Sequence, residues 1–284
     1  WIYVTGYLAP GGSFIPAVLR MTYEGDKPPE LFVGSLEDKR GKGDSQLCCP
    51  MWVSCDSQGR VYVADYDNDR IQVFTPDGKL YKSVATTKPL RVFVHPKTGH
   101  LYVASWMYVT RHLPSESRIK ATYTHLGPVD DPKPVAGYPL QLAAYAEQIF
   151  MNRTHASHDL FVDFQTEPPT VWLVPGTGDT TEKLLQLRRT FASSMWGFSP
   201  WSESHYRLLV EKDGKLVEKV NFAKDVGEAI SRVSPPPGCA AGRQRLYVNP
   251  KDGKLYVMEG DGGVCKSTKE LLRIDPNTGK VNTI

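Results

Sequence analysis

The chain has 284 residues and a net charge of +3, with acidic and basic residues interleaved, so it lacks the concentrated basic charge that marks a nucleic-acid binder. No apolar run reaches the length of a membrane-spanning helix. Five cysteines in so long a chain are not the density of a disulfide-stapled mini-protein, and the length fits one large folded domain over residues 1–284.

In chain order, the pattern is one of short strands and tight turns. The first segment, Ile2-Tyr3-Val4-Thr5-Gly6, is strand-like, and Leu36–Lys42 reads as a solvated loop with both charge signs. Val53–Leu80 then runs strand, Asp-Ser-x-Gly turn, strand, Asp/Asn-rich loop, strand, Pro-Asp-Gly turn and strand. Its first half recurs as Val92–Ser105 and Leu246–Glu259, and more weakly as Leu160–Pro175. Its second half, from Arg70, recurs as Arg207–Val220 and Leu271–Ile284. The glycines of these turns supply the positive φ that short hairpins require. Only Tyr138–Met151 carries a helical period, which predicts a short helical insertion near 138–151.

A repeated unit of four antiparallel strands predicts an all-β fold, a six-bladed (alternatively seven-bladed) β-propeller. A two-sheet sandwich also has many short strands, but it has no reason to copy a four-strand unit. The Ile2–Gly6 segment matches the second strand of each copy, which leaves the first blade without its innermost strand. The expectation is a processed or partial chain with residues missing before Trp1.

Val53–Leu80 resembles an NHL repeat through Asp56, Gly59, Tyr62, Val63, Ala64, Asp65, Asn68, Arg70, Ile71 and Phe74. The later copies depart from it: Ser105 and Glu259 stand where Asp65 does, and neither copy has the Asn-x-Arg. The resemblance implies a six- or seven-bladed ring and no particular function, since propellers of this kind include RNA binders, protein-binding platforms, amidating lyases and lactone hydrolases.

A propeller collects its second-to-third-strand loops and blade-to-blade links on one face. Asp56, His95, Asp163 and Asn249 fall in first-to-second-strand turns on the other face, where such side chains cap turns. On the loop-bearing face, Asp65, Asp67, Asn68 and Asp69 either brace their own loop or offer oxygen ligands to calcium. His155 and His158, three apart, are either incidental or a zinc pair. Tyr66, Trp106, Arg111, His112, Trp196 and Trp201 place aromatic and polar groups in loops on the same face, with Arg243 approaching it. Such surfaces bind glycans or peptides, although long loops also bury aromatics to shield a ring.

Cys239 and Cys265 fall in two connector types of that face, so a bridge between them is expected, with two free thiols as the alternative. Cys55 alternates inward with Val53 and reads as a small core residue. The sequon Asn152-Arg153-Thr154 and the cysteine placement lean towards an exported protein, extracellular or periplasmic. The functional expectation is a recognition scaffold for a glycan, peptide or protein partner. Its alternative is a hydrolase or lyase that uses a divalent metal, calcium or zinc, on a sugar or lactone at the channel mouth.

Overall fold

A computed structural model describes residues 1–5, 15–37, 39–109, 118–140, 160–173, 207–221, 244–249, 251–259, 271–275, 278 and 280–284. Alternating β-branched and aromatic residues place nearly all regular structure in antiparallel strands. The first sheet holds β1 (Ile2–Val4), β2 (Ala17–Met21) and β3 (Glu30–Gly34). The second holds β4 (Pro50–Cys55), β5 (Val61–Asp65), β6 (Arg70–Phe74) and β7 (Leu80–Ala85). The third holds β8 (Pro89–Val94), β9 (His100–Val109), β10 (Arg118–Pro128) and β11 (Pro134–Leu140). The fourth holds β12 (Leu160–Asp163), β13 (Thr170–Leu173), β14 (Arg207–Lys212) and β15 (Lys215–Asn221). The fifth holds β16 (Gln244–Val248), β17 (Leu255–Glu259), β18 (Leu271–Ile274) and β19 (Val281–Thr283). Strands follow chain order within every sheet, so neighbouring strands are consecutive in the chain.

The first three sheets form one compact unit, Trp1–Val109 with Lys120–Leu140, and the last two sheets belong to a second. In the first unit, β5 is buried along its whole length because both of its faces meet another sheet. Val61 and Val63 turn towards the first sheet and pack with Val18, Val33, Leu47 and Phe74, flanked by Tyr3 and Phe32. Tyr62 and Ala64 turn the other way and pack with Ile71, Val73, Val92, Val94, Leu101 and Val103. Fully burying one such aliphatic side chain contributes about 1.5–3 kcal/mol, so these two layers dominate the cohesion of the unit. In the second unit, Val171 and Leu209 face each other across β13 and β14 and are buried, as are Leu272 and Ile274 of β18.

The first-to-second-strand turns carry the expected caps. Asp56 Oδ1 accepts from the N–H groups of Gln58 and Arg60, each at 2.9 Å. His95 Nδ1 accepts from Lys97 and Thr98 N–H at 3.2 Å, Asp163 from Gln165 N–H at 3.0 Å, and Asn249 Oδ1 from Lys251 N–H at 2.9 Å. One device thus recurs with three side-chain chemistries. Gly59 closes the first of these turns at φ +78°, and a Cβ there would meet Pro76 at 3.2 Å.

Asp56 also gives a pH prediction. Burial works to raise its carboxyl, but hydrogen bonds from the Arg60 side chain and N–H and from the Tyr62 hydroxyl overcome it and hold the group below the usual carboxylate range. A depressed folded pKa stabilises fully above the unfolded value of about 3.9, and that stability is lost as pH falls through the folded value. Asp56→Asn is expected to flatten the acid limb of unfolding midpoint against pH, measured in urea. An acid limb as steep as the parent's would assign the sensitivity to other carboxyls.

Three expectations are corrected. Tyr138–Leu140 does not begin a helix: it ends β11, with Tyr138 opposite Tyr123 and the two rings stacked at 6.2 Å. That cross-strand aromatic pair and the ladder around it outweigh a weak helical period. The rest of the expected helix, 141–151, lies outside the described residues. Trp106 is not in a loop, because β9 continues through Val109 along a run rich in strand formers, Tyr102, Val103, Trp106, Tyr108 and Val109. Cys55 is exposed rather than core. It shares a face with Val53, but it is the last residue of β4, the edge strand of its sheet, where solvent reaches the side chain.

Candidate recognition site

The described part of the loop-bearing face is built around the link from β5 to β6. Asp65 ends β5, Tyr66–Asn68 form a single 3₁₀ turn, and Asp69 adopts φ +52° to reverse the chain into Arg70. Asp65 and Arg70 face each other across the two strands. Asp65 is fully buried, and its carboxylate accepts from Cys48 N–H at 2.6 Å, Asn68 Nδ2 at 2.8 Å and Arg70 Nε at 2.8 Å. Burial pushes the carboxyl up, while those three donors and the Arg70 charge pull against it.

The remaining donors of Asn68 and Arg70 reach into the segment before β4. Asn68 Nδ2 donates to Gly41 O at 2.7 Å. Arg70 donates to Lys42 O at 2.9 Å, Gly43 O at 3.0 Å and Gln46 O at 2.9 Å. The N–H groups of Tyr66 and Asp67 donate to the carbonyls of Cys49 and Cys48 at 3.3 and 3.1 Å. Three repeat residues thus lash a long link to the top of the sheet, and the planar guanidinium suits this because it donates in several directions at once.

On this braced turn sit the outward groups. Lys88, from the link before β8, places Nζ 5.1 Å from the centre of the Tyr66 ring and 3.4 Å from Asp67 Oδ1. The Lys88 N–H donates to Asp69 Oδ1 at 2.9 Å, fixing the two links to each other. Burial, reinforced by the Asp67 charge, pushes the Tyr66 phenol up to about 12, so it keeps its proton at neutral pH. Asp67 and Asp69 are exposed, and Tyr66 and Lys88 are half-buried. Nearby, the Arg91 guanidinium lies 4.6 Å from the Trp52 ring centre.

Residues 47–74 match the NHL repeat family model. This segment is an NHL repeat. Its signature residues Asp65, Asn68 and Arg70 are the ones that bind the link to the sheet. Protein lin-41 of Caenorhabditis elegans is 50% identical over 40 residues, 14% of this chain and 4% of that protein. The E3 ubiquitin-protein ligase TRIM71 of Rattus norvegicus is 43% identical over 60 residues, 21% of this chain and 6% of that protein. The similarity therefore spans a small fraction of either relative. Among solved structures, a protein from Lactobacillus plantarum aligns with a TM-score of 0.44 at 13% identity, covering 89% of this chain and 64% of that one. Virginiamycin B lyase from Staphylococcus aureus aligns with a TM-score of 0.39 at 12% identity, covering 83% and 55%. Likenesses this low carry no argument about chemistry.

Of the residues singled out in the sequence, Asp65, Tyr66 and Asp67 come together here, with Asp65 inside the brace and Tyr66 and Asp67 above it. Trp106 is in β9. Arg111, His112, His155, His158, Trp196, Trp201 and Arg243 lie outside the described residues, as do Cys239, Cys265 and the sequon. Among the described residues, no three His, Cys, Asp or Glu side chains cluster as a metal site, and Cys48, Cys49 and Cys55 are free thiols. No described helix is long and apolar enough to cross a membrane. Lys88 escaped the sequence reading because it belongs to no repeat motif; its one signal is its place immediately before Pro89, at the entry to β8.

Proposed function

We propose that this chain is a recognition scaffold, its sheets acting as blades of a single NHL-like propeller of six or seven blades in an exported protein. The proposed partner is a peptide or protein segment held across Tyr66, Asp67 and Lys88. The observation that supports this is the brace itself: Asp65, Asn68 and Arg70 tie the turn that carries Tyr66 to the backbone of the link before β4, and the Lys88 N–H bonds to Asp69 of the same turn, so the Tyr66 ring and Lys88 ammonium stand on a rigid support. A pre-ordered aromatic beside a cation loses little freedom on binding, which is how a small surface can hold a partner.

Screening the full chain against peptide and glycan arrays is expected to return a peptide family. Tyr66→Ala and Lys88→Ala should each weaken the selected peptide by about tenfold, or about 1.4 kcal/mol, with an unchanged unfolding midpoint. Full affinity in both variants, or saturable binding to glycans alone, would overturn the assignment.

A further inference from the structure

Three sulfur side chains fall within four residues, Cys48-Cys49-Pro50-Met51, where the braced link enters β4. We propose that Cys48, Cys49 and Met51 form a binding site for a soft monovalent cation, copper(I), on the loop-bearing face. Cys49 Sγ and Met51 Sδ are 3.7 Å apart. Two sulfurs bound to one trigonal metal at about 2.3 Å would sit about 4 Å apart, so this pair already has a ligand-like spacing.

Cys48 is the proposed third donor, next to Cys49 where the backbone bends. In extended chain, adjacent side chains point to opposite sides. Here Cys49 has φ +59°, a left-handed bend that breaks the alternation between Cys48 and Cys49. A non-glycine residue rarely adopts this conformation, and it persists when the surroundings over-determine it. They do so here: Cys48 N–H donates to Asp65 Oδ1 at 2.6 Å, Cys48 O accepts from Asp67 N–H at 3.1 Å, and Cys49 O accepts from Tyr66 N–H at 3.3 Å.

The chemistry selects the ion. Two thiolates and a thioether are soft donors, suited to copper(I). The absence of a third His, Cys, Asp or Glu group beside the two thiols, among the described residues, argues against a tetrahedral zinc site. Both cysteines are half-buried, open enough to load and covered enough to exclude bulk solvent. In the binding step the ion replaces the two thiol protons, which pass to solvent, while the Met51 sulfur donates a lone pair. No oxidation state changes.

The test is an anaerobic titration of the reduced full chain with copper(I) against a competing copper(I) chelator, followed by thiolate-to-copper charge-transfer absorption. One tightly held ion per chain is expected. Cys48→Ser and Cys49→Ser should each weaken it by about tenfold or more, and Met51→Leu by less, with far-ultraviolet spectra unchanged. Should a serine variant fail to fold, Met51→Leu keeps both thiols and still decides by its shifted affinity and absorption. Equal copper affinity in all three variants, failure to compete with the chelator, or tighter binding of zinc than of copper would overturn the site.

Discussion

Asp65→Ala is expected to destabilise the first unit by about 3–5 kcal/mol, the cost of breaking a buried ion pair from one side. The substitution removes a fully buried acceptor and strands three donors: Cys48 N–H, the Asn68 amide and Arg70 Nε. Arg70 would keep its bonds to the carbonyls of Lys42, Gly43 and Gln46 but lose its counter-charge. The loss should appear first in the link, as faster amide exchange at Cys48 and Tyr66, and then as a lower urea midpoint for the unit. Asp65→Asn, which keeps the shape and one acceptor, should cost less. Arg70→Lys should fall between, because an ammonium cannot replace a fork that reaches four acceptors. A midpoint in Asp65→Ala within about 0.5 kcal/mol of the parent would mean that the repeat signature is not what fastens the link.

How much of this was legible in the sequence depends on the range of the interaction. Asp56 and its counterparts were readable because a cap bonds N–H groups two to four residues away, and a turn looks the same wherever it occurs. The strand pattern of β5 was readable because Val61, Tyr62, Val63 and Ala64 alternate between two buried faces. The pairing of Asp65 with Asn68 and Arg70 lay within one repeat signature, so a structural role was open from the start. Its destination was not. Asn68 and Arg70 reach Gly41 and Lys42, more than 24 residues earlier, in a stretch that read only as a solvated loop, and Gly43 just after it. Lys88 over Tyr66 and the sulfur pair of Cys49 and Met51 depend on backbone bends, at Lys88 and Cys49, that residue types do not announce. The misreadings have the same origin. Tyr138 looked like helix because its strand partner, Tyr123, lies in β10, outside a local helical window, and Trp106 looked like loop because β9 runs on past the length of the repeated unit. Cys55 followed its alternation correctly and missed only that the strand ends at a sheet edge.

Phe74→Ala should cost about 3–5 kcal/mol, and its larger consequence is where the loss spreads. Phe74 is fully buried and lies in the layer joining the first and second sheets, with its ring edge-on to Phe32 at 6.2 Å. That layer also holds Val18, Val33, Leu47, Val61 and Val63, whereas the layer between the second and third sheets uses Ile71, Val73 and Leu101 instead. If each interface is a separate cohesive term, as in a repeat array, the cavity should loosen the first sheet and spare the third. Hydrogen exchange is expected to speed up at Val18 and Val33 at denaturant concentrations where Val92 and Leu101 remain protected. In a double-mutant cycle, Phe32→Ala and Phe74→Ala should couple by about 0.5–1.5 kcal/mol, the range for an edge-to-face aromatic pair. Ile71→Ala should show the reverse spatial pattern. Equal acceleration in all three sheets would mean that the unit opens as one cooperative block, and the interfaces would then have no separate stabilities to assign.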